Sequence, residues 1–120
     1  MRQFRRIIVN DITYWWLFRF DDYDYQNYPY LLIVMDSHPH ATLKLVFSIH
    51  DHFLLNEGLP ASLQGNAVSI NLNRPLFVSQ LIVQCRKNGE TFEQQGYKRL
   101  DGVQLLTQIG YTISPLFLDI

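Results

Sequence analysis

All four histidines of the chain fall in two H-x-H pairs, His38/His40 and His50/His52. In a strand this spacing turns both rings to one face, which is why it recurs among metal ligands. One zinc site built from all four is excluded by reach. Residues 43–49, read as a strand, would hold the pairs about 23 Å apart. The second pair has closer company. Asp21, Asp22 and Asp24 lie in a stretch that follows one strand and precedes the next, so a meander returns them to the end that carries His50, Asp51 and His52, opposite the His38 turn. Two histidines and one carboxylate make an open metal site. His50 and His52 with Asp51 or Asp24 are therefore candidate ligands for one divalent transition metal in a hydrolase.

The same stretch, DDYDYQNY at residues 21–28, supports a second chemistry. Its three carboxylates steer toward a basic partner, and its tyrosines supply contact area at low entropic cost. Asp21, Asp22, Tyr23, Asp24, Tyr25, Tyr28 and Tyr30 form the predicted partner-binding surface. The leading reading is a cytoplasmic, non-enzymatic binding module without a cofactor, an inhibitor or immunity-type protein set against a basic nuclease or toxin. The metal-dependent hydrolase at the same rim is the alternative. A homodimer or complex subunit joined through Trp15, Leu17 and the apolar tail 116–118 is the third.

Other catalytic templates are missing. The chain has no G-x-S-x-G, H-E-x-x-H, C-x-x-C or glycine-rich phosphate loop. His40-Ala41-Thr42 has the H-x-T form of two-histidine phosphoesterases but lacks the second copy that chemistry needs. Cys85 is the only cysteine, so no disulfide framework exists, and it lies on the apolar side of a predicted helix, where a thiol behaves as a small hydrophobe.

The elements that must hold these residues begin with the clearest one. NRPLFVSQLIVQCRKNG, residues 73–89, reads as an amphipathic helix with both ends marked. Asn73 is placed to cap, Pro75 suits the first turn, Arg86 and Lys87 favour the C-terminal dipole, and Gly89 offers the left-handed exit. Phe77, Val78, Leu81, Ile82 and Cys85 form its apolar stripe. Residues 4–10 and 12–20 read as a hairpin turning at Asn10-Asp11. Tyr14, Trp16 and Phe18 share one face of its second strand. Trp15 and Leu17 make the other face half apolar, so something must cover it. Residues 30–35 read as a central strand, and residues 43–50 alternate, with Leu43, Leu45, Phe47 and Ile49 inward.

Residues 51–65 hold two glycines and Pro60 and read as a long loop with one helical turn near Leu63. Residues 67–72 are a further strand, and residues 90–98 are polar. Asp101 with Gln104 signals a second, shorter helix through Leu105, Leu106 and Ile109. The apolar side chains Leu116, Phe117 and Leu118 must dock. The expectation is a single α+β domain over residues 1–120, with an antiparallel meander of four to five strands against one long helix.

Composition sets the outer bounds. The 120 residues are 48% hydrophobic, enough for one core, and the net charge of −1 lacks the basic excess of a nucleic-acid surface. The basic opening MRQFRRIIVN is too short in apolar length for a secretory signal, and no apolar run could span a bilayer, so a cytoplasmic protein away from membranes is expected.

At two places the chain resembles a group of short bacterial proteins. Val9-Asn10 through Tyr14-Trp15-Trp16 is similar to their opening V-N-G-x-x-Y-x-W, with Asp11 at the turn glycine. Arg74-Pro75 through Val78, Leu81-Ile82 and Asn88-Gly89 is similar to their T-P-x-x-V-x-x-x-I and closing G-W-x-P, with Arg74 for the threonine and Glu90 for the tryptophan. The resemblance implies a hairpin and a capped helix, and it carries no activity.

Overall fold

The computed structural model describes residues 3–20 and 27–119. Strands β1 (Arg5–Val9) and β2 (Ile12–Arg19) form the predicted hairpin, closed by the pair Val9↔Ile12. Asn10 and Asp11 take φ of 49° and 67°, the left-handed pair that a two-residue turn needs to match strand twist. Strands β3 (Tyr30–Met35) and β4 (Ala41–Val46) continue the antiparallel meander.

Beyond β4 the polypeptide departs from the expected long loop. Residues 51–65 instead supply the short helix α1 (Leu54–Glu57) and strand β5 (Leu59–Leu63), which starts a second sheet with β6 (Asn66–Ile70). Pro60 is tolerated because only β6 lies beside it. The third strand of that sheet, β8 (Tyr111–Thr112), pairs with Ser62 and Leu63 alone.

Helix α2 (Pro75–Lys87) buries the predicted stripe of Phe77, Val78, Leu81, Ile82 and Cys85. Each of the four hydrocarbon side chains contributes roughly 1.5–3 kcal/mol when taken fully from water. Its C-terminus closes as expected: Gly89, at φ 82°, donates its N–H to Arg86 O and Glu90 donates to Cys85 O, each at 3.0 Å. The N-terminus differs. Arg74, not Asn73, is the N-cap residue, and it caps without a side-chain hydrogen bond. The Asn73 side-chain amide donates to Asn56 Oδ1 instead, tying the start of α2 to α1.

Strand β7 (Gly96–Asp101) escapes a sequence pattern because only Leu100 among its six residues is withdrawn from solvent. It joins β4 in parallel, so the main sheet is mixed and ordered β1-β2-β3-β4-β7. Helix α3 (Gly102–Ile109) follows at once, and Asp101 caps it as predicted, accepting the Gln104 N–H at 3.1 Å.

One hydrophobic core joins both sheets. Tyr14, Trp16, Phe18, Leu31, Ile33, Leu43 and Leu45 from one face of the main sheet meet the α2 stripe, Leu105 and Leu106 of α3, and Leu59 and Ile70 of the second sheet. In the tail, Leu118 bridges to Ile49 and packs with Phe117 on this core, while Leu116 stays 85% exposed. The tail therefore docks two of its three apolar residues on its own chain. Among the described residues no helix is long and apolar enough to cross a membrane.

Candidate functional surface

The predicted rim assembles in part. The Phe47 N–H donates to Pro29 O at 3.0 Å, which sets the segment after β4 beside the start of β3. His52 is buried and meets the Tyr28 ring edge-on, with centroids 5.9 Å apart. Tyr28 donates its hydroxyl to Asp119 Oδ2, and Asp119 Oδ1 lies 3.8 Å from His50 Nδ1. The bond to Asp119, then desolvation, then the charge of Asp119 raise the Tyr28 pKa. Asp119 was absent from the expected set. It is 91 residues from Tyr28 in the chain, and no local pattern announces it.

Asp51 is exposed. Among the described residues no three His, Cys, Asp or Glu side chains are grouped so as to hold a metal ion. Asp21, Asp22, Tyr23, Asp24 and Tyr25 lie outside the described residues. His38 and His40 are exposed on the turn between β3 and β4, away from this rim. Cys85 is fully buried and its thiol is pushed up to about 12, chiefly by desolvation, so it offers no nucleophile.

A second candidate surface is the outer face of the main sheet, the face turned from the core. Strand registers arrange it in transverse rows. One row crosses all five strands as Arg6, Trp15, Val34, Thr42 and Tyr97. The next is Leu17, Leu32, Lys44 and Arg99, and a third carries Arg19, Tyr30 and Val46. Trp15, Leu17, Tyr30 and Leu32 are half-buried, whereas Tyr97 is 76% exposed and Ile8, beside the first row, is 56% exposed. Ile8, Trp15, Leu17, Tyr30, Leu32 and Tyr97 lie outside the hydrophobic core and the partly buried shell around it, whereas Val34 and Val46 on the same face are buried.

Polar contacts among the described residues leave the cations of this face without a carboxylate partner. Trp15 donates its indole N–H to Asp36 Oδ1 at 2.8 Å, and Asp101 is committed to capping α3. The Lys44 ammonium sits 4.5 Å from the Tyr30 ring centroid. Among the described residues the ion pairs are His50 with Asp119 and Lys98 with Glu90, so Arg6, Arg19, Lys44 and Arg99 have no carboxylate partner there. At the Tyr97 end the first row runs into a pocket of about 250 Å³ whose walls include Thr42, Phe92, Gln95 and Tyr97.

Sequence reasoning marked Trp15 and Leu17 as a half-apolar face needing cover. It missed Tyr97 and Arg99, and with them the register of Lys44 against Arg99, because β7 carries no strand pattern and its neighbour β4 lies some fifty residues earlier. No protein-family model, no curated protein and no solved structure matches this chain.

Proposed function

We propose that this protein is a non-enzymatic binding module that engages a partner protein through the outer face of its main sheet. The supporting observation is the set of Ile8, Trp15, Leu17 and Leu32 on the neighbouring strands β1 to β3, with Tyr97 beyond Thr42 on β7, apolar or aromatic groups that the core leaves unused. Contiguous exposed apolar surface marks interaction sites, because water is released when a partner covers it. A sheet face is also pre-organised. Its side chains are held in register by the ladder, so little ordering entropy is lost on docking.

The partner-binding surface expected at Tyr28 and Tyr30 fits this reading only at its margin. The Tyr28 hydroxyl is bonded to Asp119, and the Tyr30 ring is in contact with Lys44. The expectation of a basic partner rests on Asp21, Asp22, Tyr23, Asp24 and Tyr25, outside the described residues, and remains a separate proposal.

A photo-cross-linking amino acid placed at Leu32 in cells that express the protein tests the reading, with Thr107 on the exposed side of α3 as the control position. A discrete adduct at Leu32 and none at Thr107 is the expected result. Equal background at both positions would remove the proposal. Replacing Tyr23, Asp24 and Tyr25 with alanine in the same experiment separates the two surfaces. Loss of the adduct at unchanged melting temperature would move the contact to the acidic stretch.

A further inference from the structure

We infer that the outer face takes an acidic partner segment, an apolar strip flanked by carboxylates, with the strip on Leu17 and Leu32 and the carboxylates on Lys44 and Arg99. This inference rests on the binding-module reading and adds the partner's chemistry. Its starting point is the register of Lys44 on β4 with Arg99 on β7, backbone partners on the same face, with the Lys44 ammonium lying over Tyr30 on the β3 side. Like charges placed opposite across neighbouring strands destabilise the pair. An anionic group seated between them removes that repulsion and makes charge-assisted hydrogen bonds to both.

The rest of the face is cationic in balance. Arg6 and Arg19 add two cations at β1 and β2, so that four cations stand against two carboxylates among the described residues, Asp36, which accepts the Trp15 N–H, and Asp101, which caps α3. The row Leu17, Leu32, Lys44, Arg99 passes from apolar to cationic across four strands. A complementary segment therefore carries leucine-like side chains toward β2 and β3, and Glu or Asp toward β4 and β7. The five strands span about 19 Å, the length of a helix of roughly 13 residues.

Two other occupants fit less well. A second copy docked face to face would set the same four cations against each other. A nucleic-acid strand would need open aromatic planes. Of the three rings here, Tyr30 is occupied by Lys44, Trp15 is half-buried and tethered to Asp36, and Tyr97 alone is open.

The test uses three probes on the whole protein, followed by fluorescence anisotropy and by amide chemical shifts. The first is a synthetic helical peptide of about 13 residues with a leucine strip flanked by Glu. The second is its Lys-flanked counterpart, and the third is an oligothymidylate. The expected outcome is preferential binding of the Glu peptide, with shifts at Leu17, Leu32, Lys44 and Arg99. The double variant K44E/R99E should weaken it by roughly tenfold or more and should now favour the Lys peptide. The milder pair K44Q/R99Q gives the same direction should the charge reversal impair folding.

Preference for the oligothymidylate at these residues would make the face a nucleic-acid surface. A concentration-dependent dimer that displaces the peptides would make the occupant a second copy. Equal binding of both peptides would overturn the acidic partner. The two readings fail differently in the cross-linking experiment at Leu32. An adduct that survives K44E/R99E keeps the binding module and rejects the acidic partner, whereas no adduct in either protein rejects both.

Discussion

Arg86 on α2 donates from Nε at 3.1 Å and from Nη2 at 2.9 Å to the Tyr14 hydroxyl on β2, and Nη2 also reaches Met35 Sδ at 3.3 Å. The same guanidinium lies 4.7 Å from the Phe92 ring centroid, and Tyr14 and Phe92 meet edge-on at 5.1 Å. A cation is thus held at the margin of the core by two rings and a hydroxyl. This clip joins the best-defined helix to the sheet and sets the loop after α2 against both.

Removing the hydroxyl alone tests the clip. Tyr14→Phe keeps the ring but leaves Nε of a half-buried guanidinium without its acceptor and Nη2 with the weak acceptor Met35 Sδ alone, and should cost about 1–3 kcal/mol. Urea unfolding monitored by tryptophan fluorescence reads the loss. Arg86→Lys should not restore full stability, because a single ammonium cannot reproduce the planar fork over Phe92.

Gly102, the first residue of α3, has no room for a side chain. A Cβ there would stand 2.5 Å from Cε1 of Phe47. Gly102→Ala should therefore destabilise by roughly 1–3 kcal/mol, despite alanine's better helix propensity. Pairing it with Phe47→Leu should recover part of the loss. Thermal melts of the four proteins in a double-mutant cycle measure the coupling, and strict additivity would show that the clash is not the cause.

Burial raises the Cys85 thiol from 9.0 to about 12, helped by the charge of Glu90 and opposed by Arg86. The folded protein keeps this proton where the unfolded chain has lost it. Its contribution is present in full below pH 9.0 and declines as pH rises to about 12, by up to roughly 1.4 kcal/mol per pH unit. Urea midpoints should therefore fall across this range, and Cys85→Ala should flatten the fall. Tyr28 and Tyr111, also raised, contribute in the same direction and keep a residual slope in the variant. A thiol reagent should label the native protein only at the rate of its opening.

The C-terminal strap is held by backbone pairs from His50 N to Phe117 O and from Asp119 N to Ser48 O, each at 3.0 Å, with the Tyr28 hydroxyl on the Asp119 carboxylate. Tyr28→Phe removes the side-chain tie and leaves the backbone pairs. Hydrogen exchange should quicken at His50 and Asp119 while the amides of α2 keep their protection. Uniform acceleration across the chain would mean that the bond supports global stability instead.

The parts legible in the sequence are those whose causes are local. Asn10-Asp11 marked the hairpin because a two-residue turn demands positive φ at both positions, and these side chains tolerate it. The α2 stripe and its exit at Gly89 were legible because helical period and left-handed closure are decided within one or two turns. Even there, the start of α2 was not, since Asn73 turns its amide to Asn56, 17 residues away, rather than capping the helix beside it.

What depended on long-range pairing was hidden. β5 carries Pro60 and follows Gly58, and it is a strand because β6 returns to cover it. β7 buries almost nothing, and it is a strand because β4 offers a free edge. The outer face follows the same division. That Trp15 and Leu17 point away from the core comes from the two-residue period of one strand and could be read from the sequence alone. That Lys44 stands in register with Arg99, and that Asp119 reaches Tyr28, comes from pairings across 55 and 91 residues, which only the folded chain brings together, because the surface such neighbours create belongs to no segment by itself.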